Sequence, residues 1–329
     1  MGNLRAGLIG LGMMGRHHAR VLGSLPGVDL VAVADAGGDA HGVSGGRPVE
    51  ADIAALIGHG LDYCMVAVPT VYHEEIGLAL AEAGVHAMIE KPLAQDTASS
   101  TRVAEAFATQ GLVGAVGHIE RYNPALQQAR ARIEAGELGE VYQVTTRRQG
   151  PFPARIADVG VVKDLGTHDI DLTAWVTQQE FTSVSARTAH RSGRAHEDMV
   201  AIVGLLSNGT ITNHLVNWLS PFKERITIIT GSRGSFIADT LSADLTYHAN
   251  GQIEQAWEAI SKFRGVSEGD MIRYAIAKPE PLRTEHEQFR DAVLGLDADI
   301  VTMTQGLRTV RVAEACLESA ETSSTVSVD

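Results

Sequence analysis

The sequence predicts an α/β protein in which a doubly wound parallel sheet is followed by a second α/β domain built on an open-faced, mostly antiparallel sheet. Three observations predict it. An apolar run, a glycine-rich turn and a helical stretch open the chain. Short apolar runs then alternate with helical stretches as far as Gly117. Beyond Pro124 the runs lengthen and are divided by turn residues such as Asn208-Gly209. At 329 residues the chain exceeds what one hydrophobic core usually serves, so two domains are expected, 1–120 and 121–329.

The first strand is Ala6 to Ile9, and Met13 to Leu22 after it repeats its apolar residues at helical spacing. Further strands are expected at Leu30 to Ala34, Tyr63 to Val68, Val85 to Ile89 and Leu112 to Gly117, with helices at Glu74 to Ala83 and Thr97 to Gln110. The stretch Gly37 to Gly46 holds five glycines and no regular pattern. After Pro124 come a helix from Ala125 to Glu134, a strand around Val141 to Arg148, a loop at Gly150-Pro151-Phe152-Pro153 and a helical stretch from Asp169 to Thr177. Met199 to Leu206 and Thr210 to Trp218 flank Ser207-Asn208-Gly209 and read as a hairpin. Arg225 to Thr230, Ser235 to Ala238 and a turn at Asn250-Gly251 continue the meander. Helices on one face of such a sheet leave the other to be covered, and a homodimer or homotetramer contact is the usual cover.

Composition narrows the function classes. Apolar residues make up 44% and charged residues 20%, the balance of a folded globular chain. A formal net charge of -13 is the wrong sign for a surface that neutralises nucleic-acid phosphates, so no nucleic-acid partner is expected. Cys64 and Cys316 stand alone in apolar segments and read as small buried hydrophobes rather than a disulfide framework. With no apolar run of bilayer length and no secretory start, a cytoplasmic protein is expected.

In Gly10-Leu11-Gly12-Met13-Met14-Gly15 each glycine serves a steric purpose. Gly10 turns the chain, Gly12 admits a pyrophosphate to the backbone, and Gly15 lets the helix pack on the strand. Met13 and Met14 begin that helix, whose N-terminus favours an anion. Asp35, twenty residues beyond Gly15, ends the second strand where a carboxylate can take ribose hydroxyls. Together these are the marks of a Rossmann dinucleotide site. The carboxylate would repel a 2'-phosphate, and Ala36-Gly37-Gly38 offers no arginine, which favours NAD over NADP.

Oxidising an alcohol by hydride transfer requires a base for the hydroxyl proton and positive charge near the oxygen. No metal-ligand spacing is present: His286-Glu287 and His196-Glu197 resemble starts of H-E-x-x-H, but Arg290 and Val200 occupy the closing positions. A side chain must then supply the charge. Lys91, after the strand that ends in Glu90 and before Pro92, lies at the expected ligand edge of the sheet, although a strand-end lysine can also be a solvated charge. Asp164 and His168 are four apart at the entry to a helical stretch, which suits a carboxylate orienting an acid/base imidazole; an N-cap beside a packed histidine is the alternative.

With these residues the chain resembles the Gfo/Idh/MocA family of sugar and inositol oxidoreductases over nearly its whole length. The likeness rests on Gly10 to Gly15, Pro69-Thr70-Val71-Tyr72-His73, Glu90-Lys91-Pro92, Asp164 to His168 and Arg311-Val312-Ala313-Glu314-Ala315. It implies a catalytic set of Lys91, Asp164 and His168, with His168 as acid/base and Lys91 holding the reacting oxygen. It also implies Pro69, Thr70, His73 and Glu90 on the cofactor side. Gly117 to Pro124, Gly150 to Arg155 and Asn217 to Pro221 are similar to members that oxidise C3 of UDP-N-acetylglucosamine. Arg121, Tyr122, Asn123, Arg155 and His168 would then meet the substrate, a sugar or nucleotide sugar. Leu165-Gly166-Thr167 follows the wider family, which keeps an inositol or free-sugar dehydrogenase in view. A dinucleotide-binding sensor without chemistry is the alternative of another class.

Overall fold

The computed structural model describes residues 2–153, 159–251 and 267–328. Contacts divide the chain into two compact units, Met1–Ile119 with Glu280–Glu314, and Glu120–Pro279 with Ala315–Asp329.

The first unit carries strands β1 (Leu4–Ile9), β2 (Val28–Ala34), β3 (Val49–Glu50), β4 (Tyr63–Val66), β5 (His86–Glu90) and β6 (Gly114–Gly117), in the order β3-β2-β1-β4-β5-β6. Every pairing is parallel. The order reverses between β1 and β4, and ligands of open parallel sheets sit at the carboxyl ends beside such a reversal. Helices α1 (Met13–Leu22), α2 (Ile53–Ile57), α3 (His73–Glu82) and α4 (Thr97–Thr109) connect the strands. Asp52 and Asp96 start α2 and α4 by accepting the Ala55 and Ser99 backbone N–H groups. All four residues of β4 are buried, as expected of a strand covered on both faces.

The chain returns to this unit near its end. Phe289, on α7 (Pro281–Val293), meets Tyr63 edge-on with ring centroids 5.4 Å apart, and Val301, Met303 and Leu307 join the apolar cluster around Leu80, Ile89 and Phe107. A single division at 120 would have left these residues with the second domain. Periodicity reveals that α7 has an apolar face but not which sheet it covers.

The second unit holds a nine-stranded sheet in the order β14-β13-β12-β11-β7-β10-β9-β8-β15. Its strands are β7 (Val141–Pro151), β8 (Phe181–Ala189), β9 (Met199–Leu206), β10 (Ile211–Asn217), β11 (Leu219–Gly231), β12 (Gly234–Asp239), β13 (Asp244–Gly251), β14 (Ser267–Arg273) and β15 (Val326–Ser327). Only the β7–β10 pairing is parallel among those described. The hairpin around Asn208-Gly209 forms between β9 and β10, with Gly209 at φ 87°. The expected loop at Gly150-Pro151 is instead the end of β7, and Asn250-Gly251 is not a turn: both residues pair with β14, opposite Glu268 and Ser267.

Helices α5 (Pro124–Glu134) and α6 (Thr167–Thr177) cover one face of this sheet, packing Leu126, Ala129, Leu172, Trp175 and Val176 against Val144, Ile229, Phe236 and Leu245. On β9 and β10 the alternate positions Met199, Val203, Leu205, Ile211 and Leu215 are exposed. Both expected features of the second sheet, its mostly antiparallel order and its open face, are present. No helix of the described residues is long and apolar enough to cross a membrane.

Candidate active site

The nucleotide side of the first unit begins where β1 ends. Gly10 has φ 94°, and a Cβ there would lie 2.5 Å from the Ala67 carbonyl oxygen, so only glycine fits the turn. A Cβ on Gly15 would lie 1.9 Å from the Gly10 oxygen, so α1 rests directly on the turn. Gly12 differs: nothing lies within 4 Å of its Cβ position, and as N-cap of α1 it offers no side chain to the helix N–H groups. Open space before an uncapped helix N-terminus suits a pyrophosphate. Met13 is 48% exposed beside it, and Met14 is half-buried.

Asp35 is fixed by two backbone donors, Leu11 N–H to Oδ2 and Gly37 N–H to Oδ1, each at 2.8 Å. Each oxygen keeps a further lone pair for a ribose hydroxyl. The glycine-rich segment beyond it forms no helix. It is a looped path with positive φ at Gly38, Gly42, Gly45 and Gly46, held by Arg47 on the Leu30 and Ser44 carbonyls.

Pro69 precedes a short 3-10 turn, Thr70–Tyr72, in which Thr70 is buried. His73, which opens α3, lies 2.9 Å from the Pro92 carbonyl through Nδ1 and 3.0 Å from that of Val68 through Nε2. Burial pushes its pKa down, so the ring is neutral and has one N–H to give. His73 therefore lies between the segment after β5 and the end of β4 and donates to one of the two carbonyls. Lys91 follows Glu90 at the carboxyl edge of β5, half-buried, with a cis peptide bond to Pro92. Its backbone N–H donates to Glu90 Oε2 at 3.1 Å.

In the second unit the stretch around Asp164 and His168 is not one α-helix. Val162–Gly166 is a π-helical turn that runs into α6. Such wide turns are rare and concentrate at functional sites. Asp164 is buried in the turn, and His168 is half-buried at the second residue of α6. Glu197 holds the start of the turn by accepting the Val162 N–H at 3.0 Å, so the glutamate of His196-Glu197 has a structural use.

Beneath His168 lies an ionic network invisible to motif reading. Arg148, 3% exposed on β7, donates to Asp169 and Glu120, both at 2.7 Å. Burial alone would lower its pKa, but the charges of Asp169 and Glu120 prevail and hold it charged. Arg121 forms a buried bidentate pair with Asp171 at 2.7 and 2.8 Å. Asn123 caps α5 through Oδ1 on Ala125 N–H and donates to the Thr240 carbonyl. Tyr122 is buried beside them. Of the five residues expected on the substrate side, Arg121 and Asn123 thus have scaffold contacts, Tyr122 is buried, His168 is half-buried on α6, and Arg155 lies outside the described residues. The signal that could have found Arg148 is a charged residue at an inward position of a strand, beside the buried Thr146 and Val144.

The description "Oxidoreductase family, NAD-binding Rossmann fold" matches residues 4–118, and "GFO/IDH/MocA C-terminal domain" matches residues 126–237. The chain is 28% identical to inositol 2-dehydrogenase 2 of Saccharopolyspora erythraea, over 99% of this chain and 96% of that protein. It is 33% identical to UDP-N-acetylglucosamine 3-dehydrogenase of Acidithiobacillus ferrooxidans over 64% of this chain and 66% of that protein. A solved structure of that enzyme matches with a TM-score of 0.84 at 26% identity, covering 98% of this chain and 99% of the other. A levoglucosan dehydrogenase solved in complex with NADH shares the fold, with a TM-score of 0.85 at 21% identity over 99% of each chain. The two family matches show that the chain is an NAD-binding oxidoreductase of the GFO/IDH/MocA family.

Proposed function

We propose that the protein is a dehydrogenase that oxidises a secondary ring hydroxyl of a sugar, with C3 of a nucleotide sugar as the leading substrate. The observation that carries this reading is the pairing of an open, uncapped glycine turn at the end of β1 with a lysine at the same edge of the sheet, at the end of β5. NAD supplies the hydride acceptor when bound. Gly12, the N-terminus of α1 and Asp35 would hold it, and Glu90, Pro69 and Thr70 would border it.

Lys91 would hold the substrate oxygen and stabilise negative charge as the hydroxyl proton leaves. His168 would take that proton, its ring oriented by Asp164 from the π-helical turn. With Arg121 bound to Asp171, its part would be to stiffen the wall beneath His168. A sensor without chemistry would have no use for a lysine, a carboxylate and an imidazole set in this pattern.

A second reading is an inositol dehydrogenase. It is favoured by the near full-length likeness to inositol 2-dehydrogenase 2 and by Leu165-Gly166-Thr167. Purified protein incubated with NAD and either UDP-N-acetylglucosamine or myo-inositol separates the two by the absorbance of reduced nicotinamide. Turnover of the nucleotide sugar is expected; turnover of myo-inositol alone would replace the leading reading with the second.

We also infer self-association through the exposed face of β9 and β10, where Val203, Leu205, Ile211 and Leu215 make an apolar surface. A reducing cytosol suits the free, buried Cys64 and Cys316.

A further inference from the structure

Four titratable side chains of the first unit have no catalytic part in the mechanism above: the half-buried Glu90 on β5, and the buried His18 on α1 and Glu285 and His286 on α7. Three of them touch in a line. Glu90 Oε1 lies 2.9 Å from His18 Nε2, and His18 Nδ1 lies 2.8 Å from Nε2 of His286, 268 residues away in sequence. The other Glu90 oxygen accepts the Lys91 backbone N–H. His18 and His286 are 0% and 1% exposed, so water does not compete for their ring nitrogens. No group of three or more His, Cys, Asp or Glu among the described residues could hold a metal ion, so the line is a hydrogen-bond chain.

A carboxylate only accepts, so the proton facing Glu90 resides on His18 Nε2. One further proton lies between His18 Nδ1 and His286 Nε2, whichever ring holds it. Each ring thus fixes the tautomer and orientation of the next.

We propose that His18 and His286 are positioning residues for Lys91: as a buried imidazole pair they fix the Glu90 carboxylate, and Glu90 fixes the backbone that carries the Lys91 amine. This rests on the role proposed above for Lys91.

The groups facing Glu90 are His18 from α1, Lys91 on its own strand, His73 from α3 and Glu285 from α7. Burial pushes Glu90 up, but the hydrogen bond and charge of His18, with the charge of Lys91, outweigh it and hold the carboxyl below its ordinary value. Burial, reinforced by the charge on Glu90, pushes Glu285 well above its ordinary value, so it faces Glu90 as a neutral acid. His286 is held well below its ordinary value by burial and then by the charge on His18. Without a donor at position 18, burial prevails: Glu90 takes a proton at higher pH, and both its hold on the Lys91 N–H and its charge beside the amine weaken.

The test compares His18→Gln, His18→Leu and His286→Leu by the pH dependence of kcat, using whichever of UDP-N-acetylglucosamine and myo-inositol is turned over. It also follows thermal unfolding of the nucleotide-free variants over the same pH range. His18→Gln keeps an amide N–H toward Glu90 and should keep the acid limb of kcat. His18→Leu should move that limb upward, so that kcat near pH 6 falls about tenfold relative to His18→Gln, with KM for NAD within about twofold. His286→Leu should move it the same way by less. A Glu90 whose folded pKa is raised loses stability as pH rises through the window, so nucleotide-free His18→Leu should weaken against His18→Gln between about pH 5 and 7. Coincident acid limbs in all three variants, or parallel stability curves, would overturn the proposal. Undiminished turnover in Lys91→Ala, where the chain is intact, would instead overturn the catalytic reading on which it rests.

Discussion

A lysine at the end of a strand is ordinarily a solvated charge, and Lys91 departs from that. It is half-buried, its backbone is tied to Glu90, and the Pro92 carbonyl after it lies 2.9 Å from His73 Nδ1. Lys91→Ala removes the amine without touching these main-chain contacts. It should lower kcat by about a hundredfold or more while leaving NADH affinity, read by fluorescence titration, nearly unchanged. Glu285 presents the opposite case, a carboxyl with neither oxygen bonded among the described residues and a pKa raised well above its ordinary value. The folded state keeps that proton where the unfolded chain releases it, so stability declines as pH rises above the unfolded value. Glu285→Gln should remove this slope, which is at most about 1.4 kcal/mol per pH unit. The gain would appear as a higher unfolding midpoint in urea near pH 7 that vanishes toward about pH 4. Equal slopes in the two proteins would show that Glu285 is ionised in the fold.

At the scale of elements, the strand–turn–helix that starts the chain is legible because Gly10 answers a local dihedral and Gly15 a contact only a few residues away. Gly15 against the Gly10 oxygen is such a contact, and the clashing atom is backbone, with no side chain to yield. Gly15→Ala should therefore lift α1 from the turn. A loss of about 1–3 kcal/mol in denaturant unfolding is expected, with NADH binding weakened by more than the stability loss alone predicts, because the helix N-terminus moves. The stretch from Asp164 to His168 was less legible. Four-residue spacing implies an α-helical face, yet the backbone takes a π turn whose start is held by Glu197, more than thirty residues on. The Asn250-Gly251 pair failed similarly, since a good turn sequence was drawn into a strand by pairing with β14. A local propensity of a fraction of a kcal/mol yields to a ladder of hydrogen bonds.

Over the whole molecule, the partition of the chain follows burial rather than sequence order. Glu280–Glu314 belongs with the first unit because Phe289 fills space against Tyr63, and Val301, Met303 and Leu307 fill space against the strand and helix residues of the same core. The exposed face of β9 and β10 is the other large-scale feature. Val203, 49% exposed on β9, is flanked by Leu205, and Ile211 and Leu215 lie on the adjacent strand. Val203→Glu should leave the unfolding of the monomeric unit within about 0.5 kcal/mol, because the position is at the surface. It should also reduce the mass measured by light scattering to that of one chain. A wild-type chain already monomeric at micromolar concentration would remove the basis for self-association through this face.

What the sequence determined by itself is what acts over a few residues: the glycine turn and its helix, the acid at the end of β2, the Asn-Gly hairpin and the alternation that makes one sheet parallel and the other mostly antiparallel. Packing alone decided the rest: which sheet α7 covers, the pairing of Arg121 with Asp171 and of Arg148 with Asp169 and Glu120, and the meeting of His18 with His286. Dihedral preference, capping and side-chain period are carried by neighbours along the chain. Burying a charge or an imidazole depends on what the fold brings to it from far along the chain, and no local pattern encodes that partner.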